Sequence, residues 1–136
     1  PVPPGARIVC RAFGFEVRTK LESEAGRIQQ AELVFADGML LVASRRGLSD
    51  HGESPRALGG ANTQMVCIHL DDVDAHFRRA KAAGAKIVVA PNTEDRGEQY
   101  PSTRSYQVED SEGHRFLFMQ RIRDRKWQVT WEPPPW

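Results

Sequence analysis

The sequence predicts an α+β fold in which one small unit, ordered strand, helix, glycine and three strands, is used twice. Three observations carry this. A stretch with apolar residues at helical spacing closes on glycine at 6–14 and again at 72–84, and each glycine leads into three β-prone segments. The joints also match: Arg11-Ala12-Phe13-Gly14-Phe15-Glu16-Val17 reads against Lys81-Ala82-Ala83-Gly84-Ala85-Lys86-Ile87, and Asp37-Gly38-Met39-Leu40-Leu41 against Glu112-Gly113-His114-Arg115-Phe116. In the first pair a helix ends on a basic residue followed by small or apolar ones, and glycine takes the left-handed turn that L-residues avoid.

Each element follows from its local chemistry. Ile8, Val9, Ala12 and Phe13 recur at helical spacing over 6–13, and Gly14 stops the helix. Residues 17–21 and 28–35 read as strands joined through Ser23-Glu24-Ala25-Gly26, a hairpin with glycine at the turn. Asp37-Gly38 turns the chain into a third strand at 39–44. Residues 45–63 hold glycine, serine, proline and charge without an apolar period, so they read as a linker or flap.

The second unit spans 64–122. Residues 65–70 form the strongest strand, and Asp71 or Asp72 caps a helix running to Ala83, with Asp74 in the first turn facing the positive end of the helix dipole. Val73, Phe77 and Ala80 make its buried stripe, while Arg78, Arg79 and Lys81 form a solvated face. Strands follow at 86–90, 103–109 and 114–121, with a polar stretch at 91–101. Within 123–136, alternation over 126–131 reads as a tail strand before Pro133-Pro134-Pro135 ends regular structure.

A length of 136 residues suits one domain, 1–136, whose two halves share a core. Nineteen Lys and Arg against eighteen Asp and Glu leave a formal charge of +1, scattered rather than gathered into a stripe, so nucleic acid is not the expected partner. Cys10 and Cys67 lie in apolar settings without CxxC spacing and read as reduced thiols of a cytoplasmic protein. No apolar run approaches the roughly 20 residues a bilayer needs, and Pro1-Val2-Pro3-Pro4-Gly5 does not resemble a signal peptide, so no membrane partner is expected. No nucleophile, triad or phosphate loop is visible.

Three segments carry a family resemblance: Val66-Cys67-Ile68-His69-Leu70-Asp71-Asp72-Val73-Asp74-Ala75, Ala82-Ala83-Gly84-Ala85, and Asp110-Ser111-Glu112-Gly113-His114-Arg115-Phe116-Leu117-Phe118. From about Ala6 to about Ile122 the chain resembles the vicinal oxygen chelate superfamily of glyoxalases, extradiol dioxygenases and bleomycin-resistance proteins. The last segment is similar to that family's Asp-Pro-Glu-Gly-His closing motif, with Ser111 in place of proline. The resemblance implies paired βαβββ modules, 6–44 and 64–122, whose curved mixed sheet forms a half-open cup with helices outside and a ligand inside. Alternation places Val66, Ile68, Leu70, Phe116 and Phe118 on the helix side, and Met65, Cys67, His69, Arg115, Leu117 and Met119 toward the cup.

Family enzymes hold a divalent metal with His or Glu on the cup faces of the opening and closing strands. By register those positions fall here on Met65, Leu117 and Leu41 or Val42, side chains unsuited to such an ion. His69 lies four residues beyond the ligand position, and His114 begins its strand too early; His51 and His76 read as loop and helix-surface residues. The resemblance therefore points, with no metal and no cofactor, to the branch that sequesters small molecules, as in antibiotic resistance. Candidate contacts are Tyr100, Arg104 and Tyr106 on one wall, with Met65, Cys67, His69, Arg115, Leu117 and Met119 across the cup. Arg104 and Tyr106 share a strand face, where a planar anionic or aromatic ligand meets a guanidinium and a ring.

Two other functions stand beside binding of a small aromatic or amphipathic molecule: a metal-dependent lyase, transferase or dioxygenase with displaced ligands, and a structural module with a filled cup. The first module also lacks its opening strand, since only Pro1–Gly5 precede the helix. Either upstream residues supply it, or the tail around Trp127 and Trp131 fills the slot, in a homodimer that exchanges tails or units. The tryptophans otherwise read as core or interface anchors.

Overall fold

The computed structural model describes residues 4–44 and 52–124, together with Pro135. Helix α1 (Pro4–Arg11) begins on proline, whose missing N–H costs nothing in a first turn, and turns Ala6 and Val9 inward, with Ala12 and Phe13 buried just past its end. Gly14 leaves it at φ 83°, and Gly84 leaves the second helix at the same angle, so the glycines paired in sequence play one conformational role. Strands β1 (Glu16–Glu22), β2 (Ile28–Phe35) and β3 (Gly38–Ala43) form an antiparallel sheet in the order β1-β2-β3. The first hairpin is held by the Ser23 N–H on Arg27 O at 2.8 Å and by Gly26 at φ 71°. In the second hairpin the structure departs from expectation. Phe35 pairs with Gly38, so Ala36 and Asp37 make the turn, and Ala36 rather than Gly38 takes the left-handed angle, at φ 51°.

The second unit has the full order β4 (Val66–His69), α2 (Val73–Ala82), β5 (Lys86–Glu94), β6 (Ser102–Glu109) and β7 (Arg115–Arg123). Its sheet runs β4-β7-β6-β5, with β4 parallel to β7 and the other pairs antiparallel. Asp72 is the N-cap of α2, accepting the Ala75 N–H at 3.0 Å, and Gln120 of β7 accepts the Val73 N–H at 3.0 Å. At the other end the Ala85 N–H bonds Ala80 O and the Gly84 N–H bonds Lys81 O, each at 3.0 Å, a Schellman closure. Strand β5 extends to Glu94, past the expected end at Ala90. It is the outermost strand of the sheet and is irregular between Ile87 and Asn92, so Pro91 is tolerated where a central strand would reject it.

One apolar core serves both units. Ala6, Val9 and Phe13 from the first helix region, Ile28, Ala31 and Leu33 from β2, Val73 and Ala80 from α2, and Tyr106, Val108, Phe116 and Phe118 from β6 and β7 are all buried in it. Phe13 is the keystone: its ring lies 5.0 Å from Phe116 and 5.4 Å from Phe118 across the boundary between units. The segment before β4 is tied to the second unit, with the Arg56 N–H on Glu112 O at 2.9 Å and Asn62 Nδ2 on Gly113 O at 3.1 Å. The rest of the expected flap (45–51), the tail strand over 126–131, His51, Trp127 and Trp131 lie outside the described residues.

Candidate functional site: the open sheet faces

Because strand side chains alternate, filling the helix side fixes what the other face presents. The register pairs Cys67 with Leu117 and His69 with Met119 across β4 and β7, then Ser105 with Met119 and Gln107 with Leu117 across β6 and β7. Phe116 and Phe118 are buried on the helix side as expected, so Met65, Cys67, His69, Leu117 and Met119 share the open face. Met65 is 43% exposed, Cys67 and His69 are exposed, and Leu117 and Met119 are half-buried. In the first unit the corresponding face carries Gln30, Glu32 and Val34 on β2 with Ala43, Leu41 and Met39 opposite them on β3. Leu21, Met39 and Leu41 there are each more than half exposed. The two faces thus offer thioether, thiol and alkyl groups to solvent, interspersed with polar side chains that include the Glu32 carboxylate.

Three of the expected contacts stand elsewhere. Tyr106 is fully buried on the helix side, because it pairs with Phe118 and so must point as Phe118 does; its ring stacks on Phe118 at 5.5 Å and meets Phe77 of α2 at 5.3 Å. Arg104, two residues earlier on the same strand, points the same way. Its guanidinium is taken by Asp74 of α2, with Nε on Oδ2 at 2.8 Å and Nη2 on Oδ1 at 2.9 Å, and by Thr93 Oγ1 at 3.1 Å. The two do share a strand face, but it is the face that anchors α2. Asp74 is accordingly held below the usual carboxylate range by the Arg104 hydrogen bonds. Tyr100 lies 53% exposed in the β5–β6 connection, its N–H on Gly97 O at 3.1 Å. Arg115 is on the open side, at its end, where Nε stands 3.3 Å from Glu109 Oε2 and Lys86 Nζ reaches the same oxygen at 3.4 Å.

Among the described residues, no aromatic stacking wall therefore stands on these faces. Phe13, Phe15, Phe35, Phe77, Phe116, Phe118 and Tyr106 all belong to the helix-side core. Two open-face cations among the described residues stand beside carboxylates: Arg115 Nε lies 3.3 Å from Glu109 Oε2 without a hydrogen bond, and Arg121 pairs with Asp124 at 3.1 Å.

The residues at the family's metal-ligand register do not fit a divalent transition ion. Met65, Leu117, Leu41 and Val42 offer at most one thioether, a soft and neutral donor. Among the described residues no three or more His, Cys, Asp and Glu side chains gather in a way that could hold a metal. His114 instead secures its own turn: Asp110 Oδ1 accepts the Glu112 and His114 N–H groups at 2.9 Å each, and His114 Nδ1 lies 3.0 Å from Asp110 Oδ2. The Asp110-Ser111-Glu112-Gly113-His114 motif is a scaffold for the entry to β7. A separate cleft of about 530 Å³, lined by Ile8, Arg56, Lys86, Glu109 and Ser111 among others, opens beside that turn; none of the nine expected contacts lines it.

One residue with a large part in the architecture was misread. His76 is not on the helix surface. It lies between the units, with Nδ1 2.7 Å from Tyr106 Oη, Nε2 2.9 Å from Phe13 O and its ring 4.1 Å from that of Phe118. A signal was present, because 73, 76, 77 and 80 follow the i, i+3, i+4, i+7 stripe of a buried helix face.

A vicinal oxygen chelate architecture is what these sheets, turns and core define. Residues 6–118 match the family model described as Glyoxalase/Bleomycin resistance protein/Dioxygenase superfamily, and the chain belongs to that superfamily. Among solved structures it is similar to TioX from Micromonospora sp. ML1, at 28% identity over 91% of this chain and 86% of that one, with a TM-score of 0.59. It shares the fold of a glyoxalase/bleomycin resistance protein/dioxygenase from Alicyclobacillus acidocaldarius (14% identity, 86% and 80% covered, TM-score 0.60). It also shares that of the genomically encoded fosfomycin resistance protein FosX from Listeria monocytogenes (15% identity, 85% and 79% covered, TM-score 0.56). No curated protein matches the chain. No described helix is long and apolar enough to cross a membrane.

Proposed function

We propose that this chain binds a small, uncharged amphipathic molecule against its open sheet faces, without a metal, as a sequestering protein of the bleomycin-resistance kind. The observation that carries the reading is the composition of those faces. Met65, Cys67, Leu117 and Met119 stand together with Ser105 and Gln107 beside them, and polarisable side chains with a few neutral hydrogen-bonding groups suit an adaptable apolar ligand. A phosphonate such as fosfomycin is a poor fit, since Arg115 and Arg121 are already paired with carboxylates. Likewise a planar anion gains nothing from Arg104 or Tyr106, which are spent on α2.

The cup is closed by a second copy of the chain. Leu21, Met39, Leu41 and Met65 expose 43–58% of their surface on the two open faces, a cost in water that a symmetric partner would remove. The reading is of a cytoplasmic homodimer whose ligand lies between copies. Two measurements on the purified full chain test it. Sedimentation velocity should give a dimer. Thermal unfolding with bleomycin, neutral amphipathic aromatics and fosfomycin, each without added metal, should show stabilisation by at least one amphipathic compound and none by fosfomycin. A ligand at 100 times its dissociation constant contributes about 2.7 kcal/mol. Stabilisation that requires an added transition metal would instead support the metal-dependent enzyme, and a monomer stabilised by nothing would support a filled structural module.

A further inference from the structure

The open face of the second unit gathers soft donor atoms at a spacing that the strands dictate. Met65, just before β4, and Cys67 and His69 within it alternate along the chain and so point the same way. Across the parallel pairing Cys67 stands opposite Leu117 and His69 opposite Met119, and the Leu70 N–H on Met119 O at 2.8 Å holds that register at the end of β4. A thiol, an imidazole and a thioether thus take three corners of one backbone rectangle, with Leu117 at the fourth. Its sides are about 6.6 Å along the strand and about 4.8 Å between strands. Side chains of this length can close over a single ion from such corners, given metal–ligand bonds to sulfur and imidazole nitrogen of about 2.0–2.3 Å, as for zinc.

The two stronger donors are open to solvent and uncommitted. Of the three described histidines, His76 spends both ring nitrogens in the core and His114 turns Nδ1 to Asp110, while His69 is exposed and makes no hydrogen bond among the described residues. Cys67 is an exposed free thiol, in contrast to the part-buried Cys10 of α1. The donor set then selects the ion. Zinc takes four ligands, yet among the described residues no carboxylate, second thiol or further imidazole joins Cys67 and His69. A divalent ion on one thiolate would also keep a positive charge beside Leu117, on the face of β7 that carries Arg115 and Arg121. A monovalent ion on one thiolate and two neutral donors leaves a neutral centre, and thiolate and thioether are the ligands that select Cu(I).

We propose that Cys67, His69 and Met119 form a binding site for a soft monovalent cation, Cu(I) or its redox-inert counterpart Ag(I). On binding, the Cys67 S–H bond gives way to a metal–sulfur bond and the proton leaves to solvent, while His69 and Met119 donate lone pairs; no electron is transferred. This is a different donor set from the family's divalent site, whose register falls on Met65 and Leu117 in this unit. The site goes beyond the binding of an organic molecule proposed above. The ion is an alternative occupant of the same wall and is not required for that binding.

The test uses the reduced full chain without oxygen: Ag(I) is titrated in while NMR follows the methionine methyl and histidine ring signals, and Cu(I) is partitioned against the chromophoric chelator bathocuproine disulfonate. The site predicts one equivalent of either ion per chain, with Ag(I) shifting the Met119 methyl and the His69 ring and leaving Met39 and His76 in place. Cys67→Ser should lose Cu(I) to the chelator. His69→Ala and Met119→Leu should each weaken retention by at least about tenfold, the lower end of what even an outer-shell partner of a metal costs. Cys10→Ser should retain Cu(I) as the parent does. Loss in Cys67→Ser with no change in both His69→Ala and Met119→Leu would show a bare thiol and overturn the proposal. So would Ag(I) that leaves the Met119 and His69 signals of the parent chain unmoved, a result that requires no variant to fold.

Discussion

At the scale of single residues, the backbone turns decide where substitutions hurt. Ala36 sits at φ 51°, in a region that costs an L-residue about 1–2 kcal/mol. Ala36→Gly should therefore stabilise the chain by about 1 kcal/mol, after the flexibility glycine adds to the unfolded state, as urea unfolding would show. Gly113 is the opposite case. It is at φ 87°, and a Cβ there would stand 3.2 Å from Arg56 N and from Pro55 Cβ. Gly113→Ala should cost about 1–2 kcal/mol, because the left-handed angle strains an L-residue and the 55–56 segment must also give by a few tenths of an ångström. Gly14 and Gly113 are recognisable in sequence as turn glycines. Ala36 is not, since Asp-Gly beside it is the stronger turn signal, and only the pairing of Phe35 with Gly38 shows that the loop closes one residue earlier.

At the scale of elements, the faces of β6 and β7 divide the molecule into the side that folds it and the side left open. Phe118 touches Phe13, His76 and Tyr106, so Phe118→Ala should cost about 3–5 kcal/mol in chemical unfolding. Met119→Ala, one residue on and facing outward, should leave stability within about 1.5 kcal/mol while weakening any stabilisation by ligand. Arg104→Ala should be mild in chemical unfolding, since the pair with Asp74 is about a third exposed and screened by water. The alternation of β4 and β7 was legible because each strand carries an unbroken hydrophobic face. That of β6 was not: Ser102-Thr103-Arg104-Ser105-Tyr106-Gln107 has polar residues on both faces, and tyrosine and arginine suit an open cup as well as a helix contact. The register with β7 settles it, and register is a long-range property.

At the scale of the whole molecule, a shared core binds unequal units. The second has its opening strand β4 beside β7; in the first, β3 is the outermost described strand of its sheet. If the tail is what fills that edge, within the chain or from a second copy, deletion of 124–136 should abolish the dimer or the fold. A truncated chain that stays folded and of unchanged size would rule that out. The duplication and the family were readable from the joints and motifs, since glycines at left-handed turns leave a local trace. The place of His76 between the units was not, because it depends on a carbonyl 63 residues away. The most direct measurement of the central claim, that these faces bind without a resident metal, is elemental analysis of the purified protein by plasma mass spectrometry. The account predicts Zn, Ni, Mn and Fe each far below one atom per chain with ligand stabilisation intact. A stoichiometric transition metal, lost together with ligand binding on chelation, would contradict it.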